Sequence, residues 1–587
     1  MKEKWFLKNK KDDFIKIANE HQISEVLARL LVNRGLTSSE DINAYLNSST
    51  DTMHNPHQLK DVDYACDILE DKIRSNTRIR IVGDYDVDGV VSTFLLFTAL
   101  SRVGANVDYE IPERMKDGYG ININIIKAAK EAGVDTIITC DNGIAAIEQI
   151  RYAKEIGMTV IVTDHHDIPF VENEGVRTEV LPPADAIVNP KQHDCNYPFP
   201  SICGAVVAFK LIEVLYERFH VDKEETKKLL AYAAIATVCD VMDLVNENRV
   251  IVKYGLNLLR NTDNKGLEAL MELHQINTFK LSAYHLGFII GPCLNASGRL
   301  ETAKIGLSLL LEQDGDSARK IATQLKELND KRKDMTARGL EEAIEIIETT
   351  DLINHKVLVV YLPDCHESLA GIIAGRIRER YHKPAIVLTK AHEGVKGSAR
   401  SIEQYNMFEE LTKCKEYLDK FGGHPMAAGL SLKEENVEPL RTALNQRTEL
   451  TEEDFINKIS IDVLMPIGYV KEELVEELEL LEPFGKGNEK PVFAEKNLSI
   501  IKADILGKNR NTLKLKVENQ YGKRMDALYF NQIDQFNEYL IDKYGNNEVD
   551  KLYKGIPNEI KISALYYPNI NEYNGVKTPQ IIIQGIQ

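Results

Sequence analysis

The sequence predicts an α/β protein with a β-rich end, on three observations. From about residue 60 to 250, short apolar runs alternate with helical patterns. The runs are Ile79–Val82, Val107–Ile111, Thr136–Thr139, Val160–Thr163 and Ala186–Val188. Such alternation builds a mainly parallel sheet with helices on both faces. A second alternation, Val357–Tyr361, a helical Leu369–Tyr381 and Ala385–Leu388, marks another α/β domain. Beyond about residue 450, runs such as Thr512–Val517, Glu559–Ala564 and Gln580–Gln584 predict a small β-rich domain of barrel type.

At 587 residues the chain is too long for one core. The expected division is an N-terminal helical lead (1–50), the parallel-sheet domain (51–315), a connector helix (316–350), the second α/β domain (351–450) and the β-rich domain (451–587). In the lead, Ile23–Leu31 is amphipathic and Ser24 is placed to cap it. The segment Gly291–Leu300 reads as turn-rich. The connector, with Asp330-Lys331-Arg332-Lys333-Asp334, reads as a solvated helix. Hydrophobic and charged fractions of 43% and 28% are ordinary for a globular protein. No apolar run is long enough to span a bilayer, and Met1-Lys2-Glu3-Lys4-Trp5 lacks the apolar core of a signal peptide, so a cytoplasmic protein is expected. Eight cysteines without a CxxC pair fit a reducing compartment and argue against a disulfide framework or structural zinc. A net charge of −18 excludes wholesale wrapping of nucleic acid. Any polyanionic substrate must be drawn by local arginines, lysines and metal ions.

Catalytic residues of an open α/β sheet gather at the carboxyl ends of its strands. The first such end is Gly83-Asp84-Tyr85-Asp86-Val87-Asp88-Gly89. Helix capping needs one carboxylate, whereas three in alternation repel one another unless a hard divalent cation lies between them. The second end carries Asp141, and the third carries Asp164-His165-His166-Asp167. Asp240 follows a long apolar stretch, where an unpaired buried charge is costly, so a metal or an arginine is its expected partner. In the second α/β domain, glycines stand beside Ser398, Arg400 and His424, a composition suited to close backbone approach to a phosphate.

These residues, in this order, resemble the DHH phosphoesterase superfamily, named for the run at Asp164-His165-His166. Within it the chain resembles the RecJ family of single-strand-specific DNA exonucleases. The likeness covers about residues 60 to 580. It is carried by Gly83–Gly89, Asp141-Asn142-Gly143, the DHH run, Gly298-Arg299, Gly397-Ser398-Ala399-Arg400 and Gly422-Gly423-His424. The RecJ branch is marked by Pro483-Phe484-Gly485-Lys486-Gly487-Asn488 and by the overall length.

The resemblance implies a DHH domain, a DHH-associated domain and an OB-like end that binds single strands. It implies a metal-dependent 5′→3′ exonuclease that degrades single-stranded DNA to mononucleotides in repair and recombination. Asp86, Asp88, Asp141, His165 and Asp240 would ligate two Mn²⁺ or Mg²⁺ ions, with Asp141 bridging them. Asp84 and His166 would act close to the scissile phosphate. Arg114, Ser398 and Arg400 would hold the 5′-terminal phosphate, Arg299 would contact the strand, and His424 belongs to the same substrate site. The implied partners are a helicase and a single-strand-binding protein, with the enzyme monomeric and not membrane-bound. Many members carry a further C-terminal region, whereas this sequence stops at Gln587. The alternative within the superfamily is a short-oligonucleotide hydrolase or nucleotide phosphatase, whose members are generally shorter and lack the OB-like end. A catalytically dead binding relative would have lost motif acids, and all of them are present here.

Overall fold

The computed structural model describes residues 3–114, 116–173, 176–392, 394–507 and 510–587. Met1 and Lys2 of the start, and Met115 beside Arg114, lie outside them. The chain divides into two compact units, residues 53–457 and residues 3–52 with 458–587.

In the first unit, after a helix over Val62–Arg74, come β1 (Arg78–Val82), α1 (Val87–Arg102) and β2 (Asn106–Glu110). It continues with β3 (Thr136–Cys140), β4 (Thr159–Thr163), β5 (Ala186–Val188), α2 (Gly204–Arg218) and α3 (Leu230–Cys239). The strands form one parallel sheet in the order β2-β1-β3-β4-β5. Ile137, Ile138, Val160, Ile161 and Val162 are all buried. A strand covered on both faces needs apolar side chains on both, so it reads as a continuous run and not as an alternation. From β1 the chain passes to β2 on one side, then returns to place β3 on the other. The crevice of this doubly wound sheet therefore opens at the carboxyl ends of β1 and β3.

The segment expected to be turn-rich is a helix, α4 (Gly291–Leu300), entered through a π turn over Leu286–Ile290. Pro292 stands in the first turn, where no amide partner is lost. Gly298 serves packing: a Cβ there would lie 2.3 Å from the Tyr85 carbonyl oxygen. Small residues that suggested turns are thus the means by which α4 approaches the β1–α1 loop.

The connector is α5 (Gly315–Thr349), and it is solvated on one side only. Ala318, Ala322, Leu325 and Leu328 are buried in its first half, and Thr336, Gly339, Ala343 and Ile347 in its second. That three-and-four spacing is one helix face. The first half packs against α4, and the second against α6 (Ala370–Tyr381) of the next domain. The second sheet contains β6 (Leu358–Tyr361), β7 (Ala385–Lys390), β8 (Val395–Arg400), β9 (Lys420–His424) and β10 (Ala427–Leu432), in the order β9-β10-β8-β7-β6. Gly397, Gly422, Gly423 and Gly429 lie in strands and not in turns. Ser398 pairs with Gly429, and Gly429 with Gly422, leaving a strip of sheet almost bare of side chains.

In the second unit, strand Glu3–Leu7 pairs with Asn457–Ile461, and helices Phe14–His21, Glu25–Asn33 and Ser39–Leu46 follow. Ser24 caps the second helix as expected, its hydroxyl accepting from the Leu27 amide at 3.1 Å. The barrel strands are Phe493–Leu506, Thr512–Glu518, Arg524–Phe530, Lys561–Tyr573 and Val576–Ile586. The first three pair antiparallel in succession, the third runs parallel to the fifth, and the fourth joins the fifth to the first. That closed Greek-key order is an OB barrel. The Pro483–Asn488 segment is anchored at its two buried ends: Asn488 donates to the Leu481 and Pro483 carbonyls and accepts from Arg34 Nε and Tyr45 Oη.

Among the described residues all eight cysteines are free, and no helix is long and apolar enough to cross a membrane.

Candidate active site

The three strand ends and the end of α3 converge at the crevice of the parallel sheet. His165 Nε2 lies 3.2 Å from Asp141 Oδ1 and 3.6 Å from both Asp88 Oδ2 and Asp240 Oδ2. Three groups have their candidate ligand atoms within 4.8 Å of one another: Asp88, His165 and Asp240; Asp84, Asp86 and Asp141; Asp141, His165 and His166. Asp141 and His165 each belong to two of them. All seven residues expected at the centre are therefore brought together, Asp84 and His166 as close as the expected ligands.

Local structure explains how each is held. Asp86 caps α1, accepting from the Gly89 amide at 3.1 Å. Asp88 accepts from the Gly204 and Ala205 amides at 2.7 and 2.8 Å, at the N-terminus of α2. Gly204 is there because a Cβ would stand 2.8 Å from Asp141 Cβ and Oδ1. Asp141 and Val241 have φ of 60° and 56°. Aspartate tolerates this left-handed region, whereas for a β-branched residue it costs about 1–3 kcal/mol. That strain lies in the turn that carries Asp240.

The carboxylates carry more negative charge than their surroundings neutralise. Burial, then Asp86, pushes Asp84 up to about 8. Burial, then Asp88, pushes Asp240 up to about 8, and the same two causes raise Asp86 and Asp141. Asp141 Oδ1 is buried with no hydrogen-bond donor among the described residues. Burial lowers the pKa of His165, so its imidazole is neutral and can offer a lone pair. A carboxylate oxygen without a donor, a neutral imidazole and further carboxylates are the donor set of a Mn²⁺ or Mg²⁺ site, and the residues present fit such ions.

Asp164 has a different task. Its Oδ1 accepts from the His165 and His166 amides and from His166 Nδ1 at 2.8 Å, and its Oδ2 accepts from the Ile144 amide. Burial opposes its ionisation, but the bond from His166 holds it below the usual carboxylate range. His166 is pushed the other way: burial disfavours its charge, and the Asp164 bond overcomes this and raises it to about 9. Tyr119 was missed by the sequence reading. Its hydroxyl donates to the Asp141 carbonyl at 2.8 Å and lies 3.2 Å from His166 Nδ1.

A cavity of about 460 Å³ lies beside this centre, lined by Arg114, Ser368, Lys396, Ser398, Lys420 and the bare strip at Gly422. The Arg114 guanidinium sits 4.9 Å over the Tyr85 ring, between the Asp84 and Asp86 positions of the β1–α1 loop. The cavity brings Arg114 and Ser398 together. Arg400 is two residues along β8, on the same strand face as Ser398, with Nη1 donating to the Ala399 carbonyl. Arg299 stands behind its wall, donating to the carbonyl of the lining residue Ser368 at 2.7 Å. Burial, then Arg114 and Arg332, lowers the Arg299 pKa to about 10. His424 is exposed on β9, its Nδ1 3.7 Å from Asp167 Oδ2, and does not line the cavity. Lys396, Lys420 and Arg332 were also missed. Arg332 donates to Asn329 three residues back, a relation that helical spacing in the charged connector could have exposed.

A parallel sheet with a carboxylate–imidazole centre at its switch point, joined by a helix to a second α/β domain, defines the DHH class of phosphoesterases. The DHH family N-terminal domain matches residues 78–237, the DHHA1 domain residues 354–450 and the RecJ OB domain residues 461–585. The single-stranded-DNA-specific exonuclease RecJ of Bacillus subtilis (strain 168) is 36% identical, over 99% of this chain and 70% of its own length. The RecJ of Haemophilus influenzae is 34% identical over 98% of both. The chain belongs to the RecJ family. In fold it is similar to the Mn²⁺ complex of RecJ from Thermus thermophilus, with a TM-score of 0.81 at 24% identity, over 100% of this chain and 80% of that one. A crystal structure of exonuclease RecJ bound to manganese is 30% identical, with a TM-score of 0.57 over 68% of this chain and 98% of that one.

Proposed function

We propose that this protein is a metal-dependent exonuclease that degrades single-stranded DNA from its 5′ end to mononucleotides, in DNA repair and recombination. The observation that carries the reading is the pairing of two sites through Tyr85. On one side of that residue lies the carboxylate–imidazole centre, and on the other Arg114 opens the cavity lined by Ser398. Arg114, Arg299 and Arg400 make no ion pair among the described residues, so their charge is available to an anion.

Asp86, Asp88, Asp141, His165 and Asp240 would hold two Mn²⁺ or Mg²⁺ ions, with Asp141 and His165 each placed to serve more than one group of ligands. The manganese-bound RecJ structure supports this choice of ion, and the imidazole favours Mn²⁺. When bound, such ions neutralise the phosphoryl oxygens and lower the pKa of the attacking water. Asp84 and His166 act close to the scissile phosphate. His166, fixed at Nδ1 by Asp164, whose bond favours its charged form, can donate from Nε2 to the leaving oxygen.

Arg114 and Ser398, with Arg400 beside them, hold the 5′-terminal phosphate. An anion pocket at a fixed distance from the cleaving centre sets both polarity and product length. Arg299 contacts the strand, and His424 completes the substrate site. The OB barrel binds the strand by stacking and backbone charge; a short-oligonucleotide hydrolase would give that barrel no task. The enzyme acts as a cytoplasmic monomer, with a helicase and a single-strand-binding protein as partners that open and present the strand. In Asp141→Ala, cleavage is lost while strand binding, read by fluorescence anisotropy, stays within a few-fold of wild type. A variant that cut at the normal rate would contradict the metal-site assignment.

A further inference from the structure

The turns that lead into α4 carry an aromatic pair for which the centre has no use, Tyr284 in the helical turn Ala283–His285 and Phe288 in the π turn that follows it. Tyr284 and Phe288 stack with ring centroids 5.0 Å apart and planes 24° from parallel. They are 59% and 69% exposed, although aromatic side chains of this size are ordinarily buried. Such π turns are frequent at functional sites.

The pair stands at one end of a track. Between Ile290 and Arg299, Pro292, Asn295 and Arg299 are half-buried and the other residues are buried. With Phe288 the three half-buried residues follow the spacing of a single helix face. That face runs about 16 Å from Phe288 to Arg299 at ~1.5 Å per residue. At the far end is the arginine whose charge is felt by Arg114, Tyr85 and Asp86. At the near end, Leu286 of the same turn lies against α3, its carbonyl 3.5 Å from the Cys239 sulfur next to Asp240. The track is aromatic where it leaves the centre and cationic where it enters. A nucleic-acid strand supplies both complements, bases for the rings and phosphates for the arginine.

We propose that Tyr284 and Phe288 form a stacking platform for bases of the single strand on the 3′ side of the cut, an inference that rests on the exonuclease reading above. The distance corresponds to at most about five nucleotides at the ~3.4 Å rise of a duplex strand, and to fewer in an extended one. Stacking on an aromatic face does not depend on sequence, as an enzyme that must advance along any strand requires.

The test uses the full chain, with Ca²⁺ to permit binding and oligothymidylates of 3, 6, 10 and 20 nucleotides carrying a 5′ phosphate. Wild type gains affinity with length. In Phe288→Ala, and more so with Tyr284→Ala added, that gain shrinks about tenfold, and Phe288→Trp restores it. Both positions are exposed, so the variants keep the core intact, and circular dichroism checks their folding. A 2-aminopurine placed three to five nucleotides from the 5′ end is quenched by wild type and brightens in Phe288→Ala. Equal length dependence in variant and wild type would overturn the proposal and assign the face to a protein partner. Equal loss on all lengths would overturn it too, by showing that Phe288 acts on the cleft itself. Failure of the exonuclease reading is seen separately, as a wild-type enzyme that releases no mononucleotide with Mn²⁺.

Discussion

Asp164 shows how one residue of a motif can govern another without touching substrate. Its carboxylate is filled by three backbone amides and the His166 ring, so it has no oxygen left for an ion of its own. Replacing it by asparagine keeps the shape and removes the charge that raises His166 to about 9. In Asp164→Asn the His166 pKa falls toward its ordinary value near 6.5. The acid form is then lost as pH rises through that lower value, so activity at pH 8 drops while activity at pH 6 is largely kept. A pH–rate profile checks this, and an unchanged alkaline limb would exclude His166 as the proton donor. Arg114 makes the complementary prediction at the anion pocket. Charge-assisted bonds to a phosphate contribute about 1.5–3 kcal/mol. Arg114→Ala should therefore raise KM at least about tenfold on a 5′-phosphorylated strand and remove its advantage over a 5′-hydroxyl strand, as initial rates on the two substrates will show.

At the scale of elements, the centre depends on how closely α2 and α4 approach the strand-end loops. A Gly204→Ala methyl would meet Asp141 at 2.8 Å, so the carboxylate must turn or α2 must retreat. Overpacking of this kind costs roughly 1–3 kcal/mol. Manganese affinity, measured by calorimetry, should fall far more than thermal stability does. The strands were legible because a sheet covered on both faces leaves contiguous apolar runs, and Asp141, the DHH run and Asp240 could then be placed at element ends. The helix α4 was not legible: Gly291, Pro292 and Gly298 look like turn residues, although they serve an N-terminal turn and a close backbone contact. Arg332 could be read from the sequence only through its three-residue spacing from Asn329, because charge in a connector says nothing about which side chain turns inward. Tyr119 reaches Asp141 and His166 from a loop that has no periodicity to report its direction. The strand Glu3–Leu7 pairs with Asn457–Ile461 from the opposite end of the chain, a relation that local pattern cannot record.

For the whole molecule, the charge of the centre links metal binding to stability. Asp84 and Asp240 sit at about 8 in the folded protein, above the ~3.9 of an unfolded aspartate. Between those values the folded form binds more protons than the unfolded one. The metal-free protein therefore loses stability as pH rises from about 4 through about 8, with no further loss from these groups beyond that. Ion binding requires the deprotonated carboxylates and releases their protons, so the gain in Tm on adding Mn²⁺ should be larger at pH 8.5 than at pH 6. Thermal denaturation with and without Mn²⁺ at the two pH values checks both signs, and a gain independent of pH would contradict the charge account. The most direct test of the central claim uses one single-stranded DNA of several tens of nucleotides, labelled at its 5′ end in one preparation and at its 3′ end in another. Incubated with Mn²⁺, the 5′ label should appear first and as mononucleotide, while the 3′-labelled strand shortens gradually. Release of the 3′ label first, or internal cuts in both preparations, would contradict the reading of the cavity beside Tyr85 as the seat of the 5′ phosphate.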